Sequence, residues 1–157
     1  MQDRGGGRVA TDRLAEEAWE ALARAHLALM RRLQEDFRGW EISMREYDVL
    51  FTLARCPSGG TRLRDLSEHV LLTQPSISRL VERMEGSGLV ARGGDPEDRR
   101  GTVVRLTDRG RAVVRRVGRE HAAAIARYLG SALTPEELRT LTELSGKLRA
   151  AQARQGG

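Results

Sequence analysis

The stretch TQPSISRLVERMEGSGLVARGGDPEDRRGTVVRLTDRG, residues 73–110, decides the fold of this chain. Its first half predicts a helix over 73–86, because Thr73 can cap the N-terminus and Pro75 falls in the first turn, where no N–H is needed. Its second half predicts a β-hairpin, since two apolar or β-branched runs flank a loop rich in Gly, Asp and Pro. Thr107 or Asp108 then caps a further helix.

A short helix is predicted just before this stretch, over 64–70. Leu63, Leu66 and Val70 form its buried stripe, and three residues, Leu71, Leu72 and the cap Thr73, connect it to the next helix. Two helices joined by so short a turn are typical of a helix-turn-helix, and the hairpin that follows would be its wing. The expected fold class is therefore mainly α (α+β), a winged helix-turn-helix. Such a fold places one helix in a DNA major groove.

The rest of the chain predicts long helices at both ends. Apolar residues at helical spacing run through 11–40, and a capping box at Thr134–Glu137 opens the last helix. Ser43 and Glu46 form another capping box at the start of the second helix. Because the terminal helices have no obvious partner within a small core, we expect them to pair with a second copy. The alternative is a monomeric six-helix domain.

This reasoning divides one domain into functional parts. We expect a flexible N-terminus at 1–10, dimerisation helices at 11–40 and 108–151, and a winged helix-turn-helix DNA-binding lobe at 41–107. No apolar run reaches 18 residues and the first residues do not resemble a signal peptide, so no membrane partner is expected. A single cysteine is typical of a cytosolic protein.

The positive charge of the chain is concentrated in one segment. The net charge is +5, and residues 88–119 hold nine arginines against four acidic residues. A localised cationic surface attracts phosphate and accelerates encounter with nucleic acid. Because the segment coincides with the predicted wing, double-stranded DNA is the expected partner.

The residue types on the predicted recognition helix are those that read DNA. Gln can pair with adenine and Arg with guanine, whereas Ser and Thr more often contact phosphate. The candidate contacts are Thr73, Gln74, Ser76, Ser78, Arg79 and Arg83. Alternatively, these are ordinary solvent-facing residues of a surface helix.

The predicted wing carries a second group of candidates. Arg99 and Arg100 stand near its tip, where a long cationic side chain can enter a narrow minor groove. Asp95 and Asp98 would repel DNA, so we expect them to orient these two guanidinium groups through hydrogen bonds.

These motifs resemble the multiple antibiotic resistance regulator (MarR) family of bacterial winged-helix repressors. The resemblance covers about residues 11–150 and rests on LRDLSEHVLLTQPSISRLVERMEGSGLV (63–90), DPEDRRGTVVRLTDRG (95–110) and TPEE (134–137). It implies a cytoplasmic, nucleoid-associated homodimer that binds a pseudo-palindromic operator and is controlled by a small molecule or an oxidant. Glu97 departs from the basic residue that many relatives place there.

The resemblance also implies an effector site between the dimerisation helices and the DNA-binding lobe. In this chain it would be lined by Trp19, His26, Trp40, Met44 and Tyr47, which alternatively are core residues. Such a site predicts a repressor released by a small aromatic effector.

A redox-sensing regulator acting through Cys56 is the alternative function, although a structural cysteine is favoured because no resolving partner exists in the chain. His26, His69 and His121 lie on three separate helices, so neither a metal nor another cofactor is expected. No nucleophile–base pair or phosphate-binding loop is present, and we expect no enzyme activity.

Overall fold

The computed structural model describes residues 5–56, 60–69, 74–95 and 101–155. The elements follow the order α1 (Gly5–Asp36), a 3-10 turn (Phe37–Gly39), α2 (Met44–Arg55), β1 (Gly60–Arg62), α3 (Leu63–His69), α4 (Gln74–Gly86), β2 (Val90–Gly94), β3 (Thr102–Leu106), α5 (Asp108–Gly130) and α6 (Pro135–Gln155). This mainly helical arrangement with a small antiparallel sheet confirms the predicted fold class. The described part of the chain includes no helix with the length and apolar character needed to span a bilayer.

The predicted helix starts at Ser43 and Thr134 are confirmed by their caps. The Ser43 side chain accepts a hydrogen bond from the backbone amide of Glu46, whose carboxylate accepts one from the Ser43 amide in return. Thr134 and Glu137 make the same reciprocal pair at α6. Helix α1 begins at Gly5, earlier than the predicted start at Thr11, and no proline in this segment interrupts it.

The sheet contains one strand that the sequence did not predict. β3 lies in the middle, antiparallel to β1 on one side and β2 on the other. The hairpin of β2 and β3 is the predicted wing, and β1 adds the third strand. β1 has only three residues, too few for an alternating pattern to reveal it.

The core lies between the sheet and helices α2 to α5. Its fully buried side chains include Leu50 and Leu53 of α2, Leu66 of α3 and Met84 of α4. Phe51 of α2 is apolar but 42% exposed. Its position on the helix turns it away from the core and towards a cavity beside α5.

A tight turn joins α4 to β2. The amide of Leu89 donates to the carbonyl of Met84, the amide of Gly88 donates to Glu85, and Gly88 has a φ of +70°. This is the Schellman arrangement, in which glycine adopts the left-handed conformation without steric cost. It fixes the angle at which the wing leaves helix α4.

The two terminal helices leave apolar side chains in contact with solvent. Trp19 is 69% exposed on α1 and Leu144 is 52% exposed on α6. Leu14, Leu22, Leu27, Leu141 and Leu148 are also exposed on these two helices. The apolar residues of these helices are therefore only partly covered within one chain, since Leu33 near the end of α1 is buried.

Candidate nucleic-acid interface

Helix α4 turns a polar face to solvent, opposite its buried stripe. Ile77, Val81 and Met84 are fully buried on the inner side. On the outer side Arg79 and Arg83 are exposed, one helical turn apart. Since the core holds α4 from behind, this arginine face is available to a large partner.

The other predicted contacts of this helix are only partly described. Ser76 is exposed near the start of α4, and Ser78 is half-buried. Thr73 and the side chain of Gln74 lie outside the described residues. The structure therefore places four of the six candidates at or near one helix surface, and their contact with DNA stays a prediction.

The predicted wing tip also lies outside the described residues. Asp98, Arg99 and Arg100 belong to the segment 96–100, so their predicted roles are untested. The amide of Asp95 donates to the carbonyl of Gly101 at 3.0 Å, and these two residues form the base of the wing.

Asp95 has a partner that the sequence analysis did not consider. Its carboxylate lies 2.5 Å from Nε of Arg62, the last residue of β1. The Asp95 side chain is 4% exposed and that of Arg62 is 27% exposed. This ion pair is much more protected than the others at the surface, and it joins the wing to the strand that leads into α3.

A second ion pair connects the wing to α4. The Glu85 carboxylate accepts hydrogen bonds from the backbone amide of Arg92 at 3.0 Å and from its Nε at 2.7 Å. The hydrogen bond from the Arg92 amide has the largest effect and the one from its side chain the next; both lower the pKa of the Glu85 carboxyl below its ordinary value. Helix α4 and strand β2 are thus held together at the end of the recognition helix.

Thr107 attaches α5 to the same turn. Its hydroxyl lies 2.7 Å from the carbonyl oxygen of Gly88 and accepts a hydrogen bond from the amide of Gly110. A Cβ atom on Gly110 would lie 2.0 Å from the carbonyl oxygen of Leu89, so only glycine fits this crossing. The LTDRG motif, residues 106–110, therefore attaches α5 directly to the winged helix-turn-helix.

A cavity of about 960 Å³ opens between α1, α2 and α5, and Met30 and Gln34 form the side that α1 contributes. Of the five predicted effector residues, Met44 and Tyr47 line it, whereas Trp19, His26 and Trp40 are not part of its lining. Trp40 instead lies beside Arg116, whose guanidinium carbon is 6.0 Å from the centroid of the Trp40 ring. Trp19 and His26 are exposed on α1.

The walls of the cavity combine apolar surface with cationic groups. Phe51, Val114 and Ile125 supply apolar surface, alongside Met44 and Tyr47. Arg45, Arg115 and Arg119 also line it, and within the described residues none of these three has a carboxylate at ion-pair distance.

Three side chains that line this cavity have a shifted pKa. Burial raises the pKa of the Asp48 carboxyl and, together with the nearby Asp48 charge, that of the Tyr47 hydroxyl. His121 packs edge-on against Phe37 and Tyr47, at centroid distances of 5.3 and 5.0 Å. Burial lowers the pKa of its imidazole, against an opposing effect of the Asp36 carboxylate.

The cationic lining was missed because it depends on tertiary packing. Arg45 and Asp48 lie one turn apart on α2, and Arg115 and Arg119 one turn apart on α5. On each helix the two charged residues flank the apolar stripe, and the sequence alone shows this pattern. Only the packing of α2 against α5 brings the two pairs to one cavity.

Cys56 is half-buried at the end of α2, and its thiol lies 3.4 Å from the carbonyl oxygen of Thr52. This contact is that of a structural side chain, and the redox hypothesis stays a prediction. Across the described ranges, no group of three or more metal-ligating side chains comes together.

The fold and this surface define a winged helix-turn-helix DNA-binding protein. A family model of the MarR family matches residues 40–101. The transcriptional regulator PecS of Dickeya dadantii (strain 3937) is 31% identical over 130 residues, which cover 81% of this chain and 76% of PecS. The chain belongs to the MarR family of transcriptional regulators and is not an enzyme.

Two solved structures of relatives extend this comparison. Sco3205, a MarR-family regulator from Streptomyces coelicolor solved in complex with DNA, is 28% identical, with a TM-score of 0.79 over 87% of this chain and 86% of that one. BpsR of Bordetella bronchiseptica, whose DNA binding is regulated by 6-hydroxynicotinic acid, is 26% identical, with a TM-score of 0.74 over 85% of this chain and 98% of its own.

Proposed function

We propose that this protein is a homodimeric repressor that binds a pseudo-palindromic operator and is released by a small aromatic acid. The observation that carries the proposal is the cavity between α1, α2 and α5, which combines apolar walls with three arginines that have no carboxylate at ion-pair distance among the described residues. A ligand there would contact both the DNA-binding part and the helix that leaves it for the dimerisation region.

The DNA contacts are assigned to α4 and the wing. Arg79 and Arg83 form the exposed face of α4, and the N-terminus of this helix offers amide groups to phosphate. Arg99 and Arg100 would add contacts from the wing, in the segment that holds the excess positive charge. Relatedness to Sco3205, which was solved with DNA, supports this assignment.

The second copy is assigned to the exposed faces of α1 and α6. Seven large apolar side chains are exposed on these two helices, and exposed apolar surface of this extent is typical of an interface. A two-fold dimer would present two α4 helices to half-sites about one helical turn apart. Trp19 and His26 would then lie near the dimer interface rather than in the cavity of their own chain.

The charge of the effector follows from the cavity lining. Arg45, Arg115 and Arg119 outnumber Asp48 among the charged side chains of the cavity wall. A carboxylate ligand would gain charge-assisted hydrogen bonds there, while a ring would pack on Tyr47 and the apolar wall. The regulation of BpsR by 6-hydroxynicotinic acid is a parallel in a relative.

The test begins by selecting an operator from a pool of random duplexes with the purified protein. Fluorescence anisotropy then follows release of that operator by 1-naphthoate and by its neutral analogue 1-naphthamide. We expect the selected site to be pseudo-palindromic and naphthoate to release it at a concentration at least tenfold lower. Loss of this difference in the Arg119→Gln variant would support the assigned cavity. Equal potency of acid and amide on the wild type would overturn the effector class.

A further inference from the structure

The ion pair between Arg62 and Asp95 crosses the whole sheet. Arg62 pairs with Val103 of β3, whereas Asp95 follows directly after Gly94 of β2. Because β3 lies between the two edge strands, the Arg62 side chain must reach across it to contact Asp95. No backbone hydrogen bond connects β1 with β2, so this contact is a direct link between the two edges.

Because the Asp95 carboxylate is buried, its ion pair with Arg62 restricts the arrangement of the two side chains. With a side-chain exposure of 4%, the Asp95 carboxylate is largely removed from water and needs a charged partner. A buried carboxylate that loses its partner must be protonated, move, or remain at a high energetic cost. The ion pair with Arg62 therefore restricts where the Asp95 carboxylate can lie.

Both residues stand at points that control the DNA-binding surface. Arg62 immediately precedes α3, the first helix of the helix-turn-helix. Asp95 closes the described end of the wing through its hydrogen bond to Gly101. A fixed distance between these residues thus fixes the wing against the helix-turn-helix.

We propose that Arg62 is a positioning residue for DNA binding, which holds the wing hairpin in register with the recognition helix through Asp95. This inference rests on the proposed role of the wing in DNA contact. This role is separate from the predicted orientation of the wing-tip arginines by Asp95, because here Asp95 connects the base of the wing to Arg62.

The direction in which Asp95→Asn changes the affinity for DNA distinguishes a positioning role from a purely electrostatic one. Asp95→Asn removes a negative charge from a DNA-binding surface, which by electrostatics alone should tighten binding. If Asp95 positions the wing through Arg62, the same substitution weakens binding. We expect Asp95→Asn and Arg62→Gln each to weaken operator affinity at least fivefold. The affinity of the double variant should equal that of the single variant that binds more weakly.

The affinities are measured by anisotropy on the selected operator with the full-length chain, whose folding is checked by circular dichroism. Arg62→Lys keeps the charge but lacks the planar guanidinium, so we expect an intermediate affinity and an intact fold. Arg139→Gln removes the same charge from an exposed pair with Glu136 on α6 and should leave affinity unchanged.

Three results overturn the proposal: tighter or unchanged binding by Asp95→Asn, wild-type affinity in Arg62→Gln, or effects of the two substitutions that multiply in the double variant. Arg99→Ala, measured beside them, separates this inference from the proposed function. If Arg99→Ala weakens binding while the Arg62 and Asp95 variants do not, only the positioning role fails. If Arg99→Ala has no effect, the DNA contact by the wing fails first.

Discussion

The hydroxyl of Thr107 lies 2.7 Å from the carbonyl oxygen of Gly88, so the first residue before α5 is bound to the turn that ends α4. One side chain here does two tasks, because the same oxygen accepts from the amide of Gly110 and caps the helix. The helix that leads to the dimerisation region is consequently fixed to the end of the recognition helix.

Replacing Thr107 by alanine should therefore cost more stability than an ordinary helix cap. Loss of the cap alone costs about 0.5–2 kcal/mol, and loss of the bond to Gly88 adds about 1 kcal/mol. Urea unfolding of Thr107→Ala and Thr134→Ala makes the comparison, since Thr134 caps α6 through the same type of bond to Glu137. Equal losses in the two variants would show that the contact with Gly88 contributes nothing, whereas Thr107→Ser should recover most of the stability.

Gly110 should tolerate no side chain. In Gly110→Ala the new methyl group would lie 2.0 Å from the backbone oxygen of Leu89, so α5 must move away from the turn. We expect a loss of about 3 kcal/mol or more, at the upper end of overpacking effects. Gly130→Ala is the control, because nothing lies within 4 Å of a Cβ atom there. Similar thermal unfolding temperatures for the two variants would contradict the close approach.

His121 should make the protein less stable in mildly acidic solution. Burial lowers the pKa of its imidazole below 6.5 in the folded chain, so the unfolded chain binds the proton more readily. Its contribution is therefore intact above about pH 6.5 and is lost as the pH falls through that value towards the folded-state pKa. His121→Phe keeps the aromatic packing against Phe37 and Tyr47 and should flatten this dependence between about pH 7.5 and 5. Denaturant unfolding across that range is the measurement; a wild-type slope in His121→Phe, or a flattened slope in the exposed-site control His26→Gln, would assign the effect elsewhere.

The exposed stripe of α6 should hold two copies together. Leu144→Glu places a charge in the proposed interface and should shift the protein from dimer to monomer in sedimentation velocity, because an unpaired charge is costly to bury. Ala150→Glu adds the same charge on the opposite face of α6 and should remain dimeric. A dimer that persists in Leu144→Glu would place the interface on another surface.

Local signals in the sequence were sufficient for most of the fold. The caps at Ser43, Thr107 and Thr134 and the glycine turn at Gly88 mark element ends through chemistry within a few residues. Strand β1 was missed because three residues carry no periodicity, and its existence depends on the edge that β3 offers.

The site was less predictable because its parts are distant in the chain. The residues beside Asp95 in the sequence do not indicate its ion pair with Arg62, which lies across a strand. Likewise the expected effector residues Tyr47 and Trp40 are both aromatic, but the cavity lined by α1, α2 and α5 includes only Tyr47 of the two. Long-range packing decides both cases, and the spacing of residues along one helix cannot show it.

The central claim is that this regulator holds DNA with the arginines of its wing as well as with α4. Its most direct test is the affinity of Arg99→Ala for the selected operator, measured by anisotropy over a series of salt concentrations beside the wild type and Arg139→Gln. We predict that Arg99→Ala loses about 1–3 kcal/mol of binding free energy and that its salt dependence decreases by about one unit of slope. An Arg99→Ala variant with the affinity and salt dependence of the wild type would contradict the account.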